Sequence, residues 1–351
     1  MSTRRRPSPL PLAVLVPLLV ALVAILAALV VALAACSPLA AGPTRESILP
    51  DEPTLPPPTA VGVPTAVEIS PFAEYRIVMD LDTAARKLGG KQRVTFPNHT
   101  GVDLEEIVFR LYPNLPQYGG AMSVGPVWVD GERRTASLRA DDTSLAVPLA
   151  RPLAPESSVT LELTFDVEIP EKGSDYSLFG QSLGIWSLPD AYPLLAVHDG
   201  VAWHEDIAPA HGDAVFADAA IYDVTLTLPP TQTLVTTGSV LSETLDLSGR
   251  RSYRISGGPL REFAFLASDR YQMAETTAYG TVLRSYYLPE DEAAGQATLN
   301  AAAAALRSYE DAFGPYPFDE MIVAEGPLLH YGMEYPGLNL IGSELYREQR
   351  A

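Results

Sequence analysis

Residues 313–342 read FGPYPFDEMIVAEGPLLHYGMEYPGLNLIG. Gly314 and Pro315 stop a helix arriving from the N-terminal side. Met321, Ile322, Val323 and Ala324 form a short apolar run of the kind a covered strand shows. Gly326 and Pro327 break it. The next run, Tyr331-Gly332-Met333-Glu334-Tyr335-Pro336-Gly337, carries one carboxylate among small and aromatic neighbours. Proline has no N–H to give to a ladder, so Pro336 predicts a strand at a sheet edge. An edge leaves N–H and C=O groups open to an extended peptide. A carboxylate there can take the peptide's terminal ammonium in a charge-assisted hydrogen bond.

The same residues resemble the G-x-M-E-N exopeptidase motif of the aminopeptidase N-type zinc metallopeptidases. Gly332, Met333 and Glu334 match it letter for letter. Tyr331 stands where Gly is frequent, and Tyr335 stands where the family has Asn. The lead-in Phe313-Gly314-Pro315-Tyr316-Pro317-Phe318-Asp319 also resembles the family's approach to that strand. The Met-Glu-Tyr-Pro-Gly version resembles a bacterial, membrane-tethered branch. The resemblance implies that Glu334 binds the substrate α-amine, with Gly332 and Met333 beside it in the substrate-binding strand. It implies zinc as the cofactor of the complete enzyme, and peptides with a free N-terminus as substrates.

In that family an H-E-x-x-H zinc motif follows a short way downstream. These 351 residues contain none. The resemblance therefore assigns them no catalytic residue and no metal ligand. The expectation is the N-terminal part of a larger enzyme, which by itself binds no zinc and turns over no peptide. The last residues read as a strand-like run without a terminal cap, which adds to the expectation of a chain that continues.

Composition narrows the classes further. The formal net charge is −19, and residues 1–36 hold three Arg and no acid, leaving 21 basic against 43 acidic residues in the remainder. Phosphate binding needs a basic face, so nucleic acid is not an expected partner. The acidic balance suits a soluble exported domain. The only cysteine is Cys36, which excludes an intrachain disulfide and a cysteine metal cluster.

That cysteine falls at the end of a targeting segment. Arg4, Arg5 and Arg6 precede an uncharged, almost wholly apolar run over residues 13–35. Leu33-Ala34-Ala35-Cys36 resembles the lipobox of bacterial lipoproteins, which implies lipidation of Cys36. A plain signal anchor stays open beside it, because the run is long enough to span a bilayer. Either reading holds the N-terminus on a membrane of a bacterial cell envelope with the remainder outside the cytoplasm. Residues 37–66 are rich in Pro, Thr and Ala and predict an extended linker.

From residue 67 to about 275 the signals are β. Tyr75, Ile77, Met79 and Leu81 alternate with polar residues, as do Val159, Leu161, Leu163, Phe165 and Val167, and again Tyr222, Val224, Leu226 and Leu228. Leu88-Gly89-Gly90 predicts an interruption before Val94-Thr95-Phe96 resumes. Short strands with Pro and Gly punctuation and no long helix predict a mainly β, antiparallel sandwich-like domain. Phe109-Arg110-Leu111-Tyr112-Pro113-Asn114, the run from Gly212-Asp213 to Tyr222-Asp223-Val224-Thr225-Leu226, and Arg261-Glu262-Phe263-Ala264-Phe265-Leu266-Ala267-Ser268 resemble the same family's N-terminal β-saddle in order along the chain.

Five histidines test a zinc reading within the chain. His204-Glu205 begins like H-E-x-x-H, but position 208 is Ala and Pro209 breaks the helix that the motif needs. His204 and His211 lie about two helical turns apart, too far to share an ion on a straight helix. A loop that gathers His198, His204 and His211 stays open. His99 and His330 read as single structural residues.

Past Tyr271 the character changes. Residues 282–288 read as a strand. Pro289 to Phe313 reads as a helix, with Glu290, Asp291 and Glu292 in its first turn and Leu299, Ala302, Leu306, Tyr309 and Phe313 facing a core. The resemblance places here, over 276–351, the start of a thermolysin-like α+β peptidase domain. Two functions follow from the sequence. One is a membrane-tethered zinc aminopeptidase represented by its N-terminal part; the other is a non-catalytic lipoprotein whose β domain binds a peptide or protein partner.

Overall fold

The computed structural model describes residues 72–171, 178–210, 212–328 and 331–350. The targeting segment, Cys36, the linker, His211 and His330 lie outside the described residues. In chain order the strands are β1 (Ala73–Asp82), β2 (Lys87–Pro97), β3 (Leu104–Arg110), β4 (Ala121–Val129), β5 (Glu132–Arg134), β6 (Ser137–Arg139), β7 (Ser144–Leu153), β8 (Ser158–Glu168), β9 (Gly180–Ser182), β10 (Ile185–Pro189), β11 (Leu194–Leu195), β12 (Ala220–Leu228), β13 (Thr233–Thr236), β14 (Ser239–Leu245), β15 (Arg251–Leu260), β16 (Ala264–Ser268), β17 (Gln272–Ala278), β18 (Thr281–Tyr287), β19 (Glu320–Gly326), β20 (Gly332–Tyr335) and β21 (Leu338–Gly342). The helices are α1 (Glu292–Phe313) and α2 (Ser343–Arg350). The protein is mainly β, as its alternating runs predict.

The largest sheet has eight strands in the order β14-β15-β12-β1-β2-β8-β4-β5. Its inner face is built from the predicted alternations: Tyr75 to Leu81 on β1, Val159 to Val167 on β8 and Tyr222 to Leu228 on β12 bury every second residue. Most pairings are antiparallel, but β1 and β12 run parallel, with Tyr75 opposite Tyr222. A parallel pair needs a long crossover, and β2 to β11 supply it.

The predicted interruption at Gly89-Gly90 does not occur. β2 runs unbroken across both glycines, pairing Gly90 with Phe165 of β8. A Cβ on Gly90 would lie 2.2 Å from Cζ of the Phe165 ring. The glycine makes room for an aromatic side chain that covers the strand.

Two four-stranded sheets, β13-β16-β10-β9 and β11-β3-β7-β6, share one apolar core with the large sheet. Three tyrosines lie within it. The rings of Tyr75 and Tyr222 stack at 4.9 Å, Tyr192 meets both edge-on, and the Tyr192 hydroxyl lies 3.1 Å from that of Tyr222. Buried hydroxyls need partners. The backbone N–H of Leu195 donates to Tyr75 Oη at 2.9 Å, and that of Phe263 donates to Tyr192 Oη at 3.1 Å.

The five-stranded sheet has the order β17-β18-β19-β21-β20. Helix α1 packs one face through Leu299, Ala302 and Leu306 against Leu283, Met321 and Val323. The other face, carrying Ile322, Ala324, Leu338 and Leu340, joins the large core. A 3-10 turn at Pro289–Asp291 precedes α1, and Gly314, at φ 96, ends it, its N–H donating to Glu310 O. Tyr309 and Phe313, predicted to face the core, are exposed instead. Twenty-two helical residues span about 33 Å. The seven-residue strands beneath reach only about 23 Å, so the last helical turns pass beyond the sheet. The chain's last described residues form α2 rather than the predicted strand-like run; buried Tyr346 packs there with Tyr287 and Ala294.

Candidate functional site

The candidate site is the hairpin β20–β21 at the edge of the five-stranded sheet. Pro336 and Gly337 make its turn, and Gly337, at φ 79, takes the left-handed position that glycine tolerates. The turn is tied to its neighbour by Ile322 N–H donating to Gly337 O at 2.9 Å. Among the described residues β20 pairs on one side only, with Gly332 opposite Ile341, Met333 opposite Leu340, Glu334 opposite Asn339 and Tyr335 opposite Leu338. The edge predicted from Pro336 is therefore where the strand lies.

Backbone polarity along β20 follows from that register. Gly342 N–H donates to Tyr331 O at 3.0 Å, which makes this position a hydrogen-bonded pair. In an antiparallel ladder such pairs alternate with non-hydrogen-bonded ones. Residues 331, 333 and 335 thus turn their N–H and C=O toward β21, and Gly332 and Glu334 turn theirs to the open edge. An extended peptide meets unpaired donors and acceptors there.

Side chains divide the same way. Met333 is half-buried and Tyr335 buried on the face toward the large core, whereas Gly332 and Glu334 are exposed on the opposite face. Glu334 has no hydrogen bond or ion pair among the described residues. Gly332 is required for its closeness to β21: a Cβ there would sit 2.9 Å from Leu340 O. Tyr335, which stands where the resembled motif has Asn, points away from the face of Glu334 and does not line it.

In the strand beside the hairpin, opposite Ile341, lies an acid that the sequence reading passed over. Glu325 ends the apolar run of β19 and is fully buried. Leu288 N–H donates to its Oε2 at 2.9 Å, and its backbone carbonyl accepts from Tyr271 Oη at 2.5 Å. Burial pushes its carboxyl up, against the lowering effect of the Leu288 hydrogen bond; nearby Asp291 and Glu290 push it further up. A carboxylate directly after four apolar residues in a covered strand is the signal that could have marked it.

Among the described histidines, His99 and His198 line one cavity and the charge of His204 reaches His198; the gathering expected of His198, His204 and His211 involves His211, which lies outside the described residues. His198 Nδ1 accepts from Gly200 N–H at 3.1 Å, and its ring meets Trp203 edge-on. His204 lies between Asp199 and Asp206 and against Phe216. Two backbone hydrogen bonds, from Ala202 and Val201, are the main cause that holds the Asp199 carboxyl at about 2. His99 pairs with Glu156. Among the described residues no group of three or more His, Cys, Asp or Glu side chains is arranged to hold a metal ion. The described residues do not fit zinc.

No family model matches the sequence, and no curated protein matches it. Solved structures do. An M1 zinc metallopeptidase from Deinococcus radiodurans superposes with a TM-score of 0.53 at 18% identity, covering 77% of this chain and 59% of the other. A variant of that enzyme gives 0.55 at 18% identity, covering 78% of this chain and 60% of the other. The variant bound to a Tyr-Ser-Ala substrate gives 0.53 at 18% identity. The chain spans about 60% of the length of these structures. Over 78% of its length, this chain has the fold of the M1 zinc metallopeptidases.

Proposed function

We propose that the chain supplies the substrate-positioning part of a membrane-tethered, extracytoplasmic zinc aminopeptidase. The observation that carries the reading is Glu334: an exposed carboxylate on an edge strand whose own N–H and C=O face outward, in a fold shared with M1 zinc metallopeptidases. A peptide entering as an added strand is held along its backbone by Gly332 and Glu334. Its terminal ammonium is held by the Glu334 carboxylate. Fixing the amine sets the distance to the first peptide bond, so cleavage counts from the N-terminus. Bond hydrolysis in such an enzyme draws on zinc, and no residue of these 351 is assigned to that chemistry.

The tether belongs to the same proposal. Cys36, in Leu33-Ala34-Ala35-Cys36, is acylated after cleavage and holds the domain at the outer face of a bacterial membrane, with residues 37–66 as the spacer. Intact mass of the exported protein tests it. An unmodified Cys36 still joined to residues 1–35 sinks the lipoprotein reading and leaves the signal anchor.

The aminopeptidase reading is tested on the protein carried with whatever its gene encodes after codon 351. Glu334→Ala lowers kcat/KM for free-amine peptides by roughly 10²-fold, and N-acetylated peptides are poor substrates of the parent. Equal cleavage by parent and variant removes Glu334 from the role. The second reading is a non-catalytic lipoprotein whose β domain binds a peptide or protein partner. An in-frame H-E-x-x-H with a later Glu in the gene decides against it.

A further inference from the structure

Directly across the hairpin from Glu334 stands Asn339. The pair is non-hydrogen-bonded in the ladder, the type in which facing side chains come closest, about 5 Å between Cβ atoms. Both side chains lie on one face. Tyr335, Leu338 and Leu340 are buried on the other. Asn339 is half-buried and is the one side chain of β21 that carries a polar group; Leu338, Leu340 and Ile341 are apolar and Gly342 has none. Neither Glu334 nor Asn339 has a side-chain hydrogen bond among the described residues. A carboxylate and a carboxamide thus stand side by side on one face of the hairpin, roughly at right angles to the backbone groups that point outward from the edge.

We infer that Asn339 is the second acceptor for the substrate's α-ammonium, a substrate-binding residue beside Glu334. The inference rests on the reading of Glu334 as the amine-binding group. A primary ammonium carries three N–H donors, and one carboxylate approached along a strand edge takes one or two of them. The Oδ1 of Asn339 takes another. A neutral acceptor suits this position better than a second acid, because like charges directly opposite in a ladder repel each other. The arrangement predicts selectivity for donor number. A primary amine uses both residues, while an N,N-dimethylated amine keeps its charge but has one N–H and uses Glu334 alone.

The test is peptide binding by the full chain, followed by NMR titration with Tyr-Ser-Ala, its N-acetyl form and its N,N-dimethyl form. The parent binds the free amine tighter than both derivatives. Asn339→Leu, of similar shape and without an acceptor, weakens free-amine binding about tenfold and leaves the dimethyl form unchanged. Asn339→Asp, which keeps an acceptor, retains the preference for the primary amine and guards against a Leu variant that misfolds. If Glu334→Ala abolishes discrimination while Asn339→Leu binds all three peptides as the parent does, the Asn339 assignment is overturned and the Glu334 reading stands. If the parent does not distinguish the free from the acetylated peptide, both fail.

Discussion

Asp190 shows what a buried carboxyl imposes here. It is fully buried at the end of β10, at φ 49, and its N–H donates to Phe263 O at 3.3 Å. Burial raises its carboxyl well above the ordinary range, and neighbouring Glu262 raises it further. Two carboxyls this close resist ionising together. A carboxyl whose folded value is raised stabilises fully below its unfolded value of about 3.9. That stabilisation is lost as pH rises through the folded value. Stability conferred at this position therefore falls from mildly acidic toward alkaline pH. Asp190→Asn keeps the neutral form at every pH, so its melting temperature should exceed that of the parent by a margin that widens with pH. Thermal unfolding across about pH 5 to 9 reads the margin. A margin that narrows with pH would mean an ionised, favourably paired carboxylate.

At the scale of the element, glycines decide where strands can lie. Gly90 permits β2 to pass under the Phe165 ring. Gly90→Ala should cost roughly 1–3 kcal/mol through overpacking. Gly89, one residue earlier, would place its Cβ an ordinary 3.5 Å from Asp166 Oδ1 and meet no ring. Gly89→Ala should therefore stay within about 0.5 kcal/mol of the parent. Urea unfolding of the two variants separates them, and combining Gly90→Ala with Phe165→Leu should recover part of the loss. Equal costs at 89 and 90 would show that the ring moves aside freely. The site hairpin follows the same rule at Gly332, where the obstacle is the carbonyl of Leu340 and not a movable side chain.

For the whole molecule, one core joins the site to the β domain. Ile322, Leu338 and Leu340 of the five-stranded sheet belong to the same buried cluster as Tyr75, Phe165 and Val224 of the eight-stranded one. The position of Glu334 thus depends on strands far from it in sequence. Leu338→Ala, at a fully buried position, should destabilise by about 2–5 kcal/mol. Hydrogen exchange should show amides of β1, β8 and β12 losing protection together with those of β19 and β21. Loss confined to β19–β21 would show that the hairpin's sheet opens as a separate unit.

Periodicity alone carried much of this protein. Side-chain alternation has a period of two on any strand, so β1, β8 and β12 were legible from where Tyr75, Val159 and Tyr222 begin their runs, and α1 was legible between Pro289 and Gly314. The edge position of β20 was legible because Pro336 lacks a donor. Three things were decided only by tertiary structure. Gly89-Gly90 reads locally as a break, and the Phe165 ring, 75 residues beyond Gly90, turns it into strand. Tyr309 and Phe313 fit the helical stripe, but the sheet beneath is too short to cover them. The site's polar partners were invisible for a third reason. Asn339 becomes a neighbour of Glu334 through the register of one hairpin, and Glu325 is buried at the end of a central strand, where the Leu288 N–H reaches it. Sequence spacing specifies which face a residue takes along its own strand. Which neighbours share that face is specified by pairing, and pairing is settled by the core as a whole.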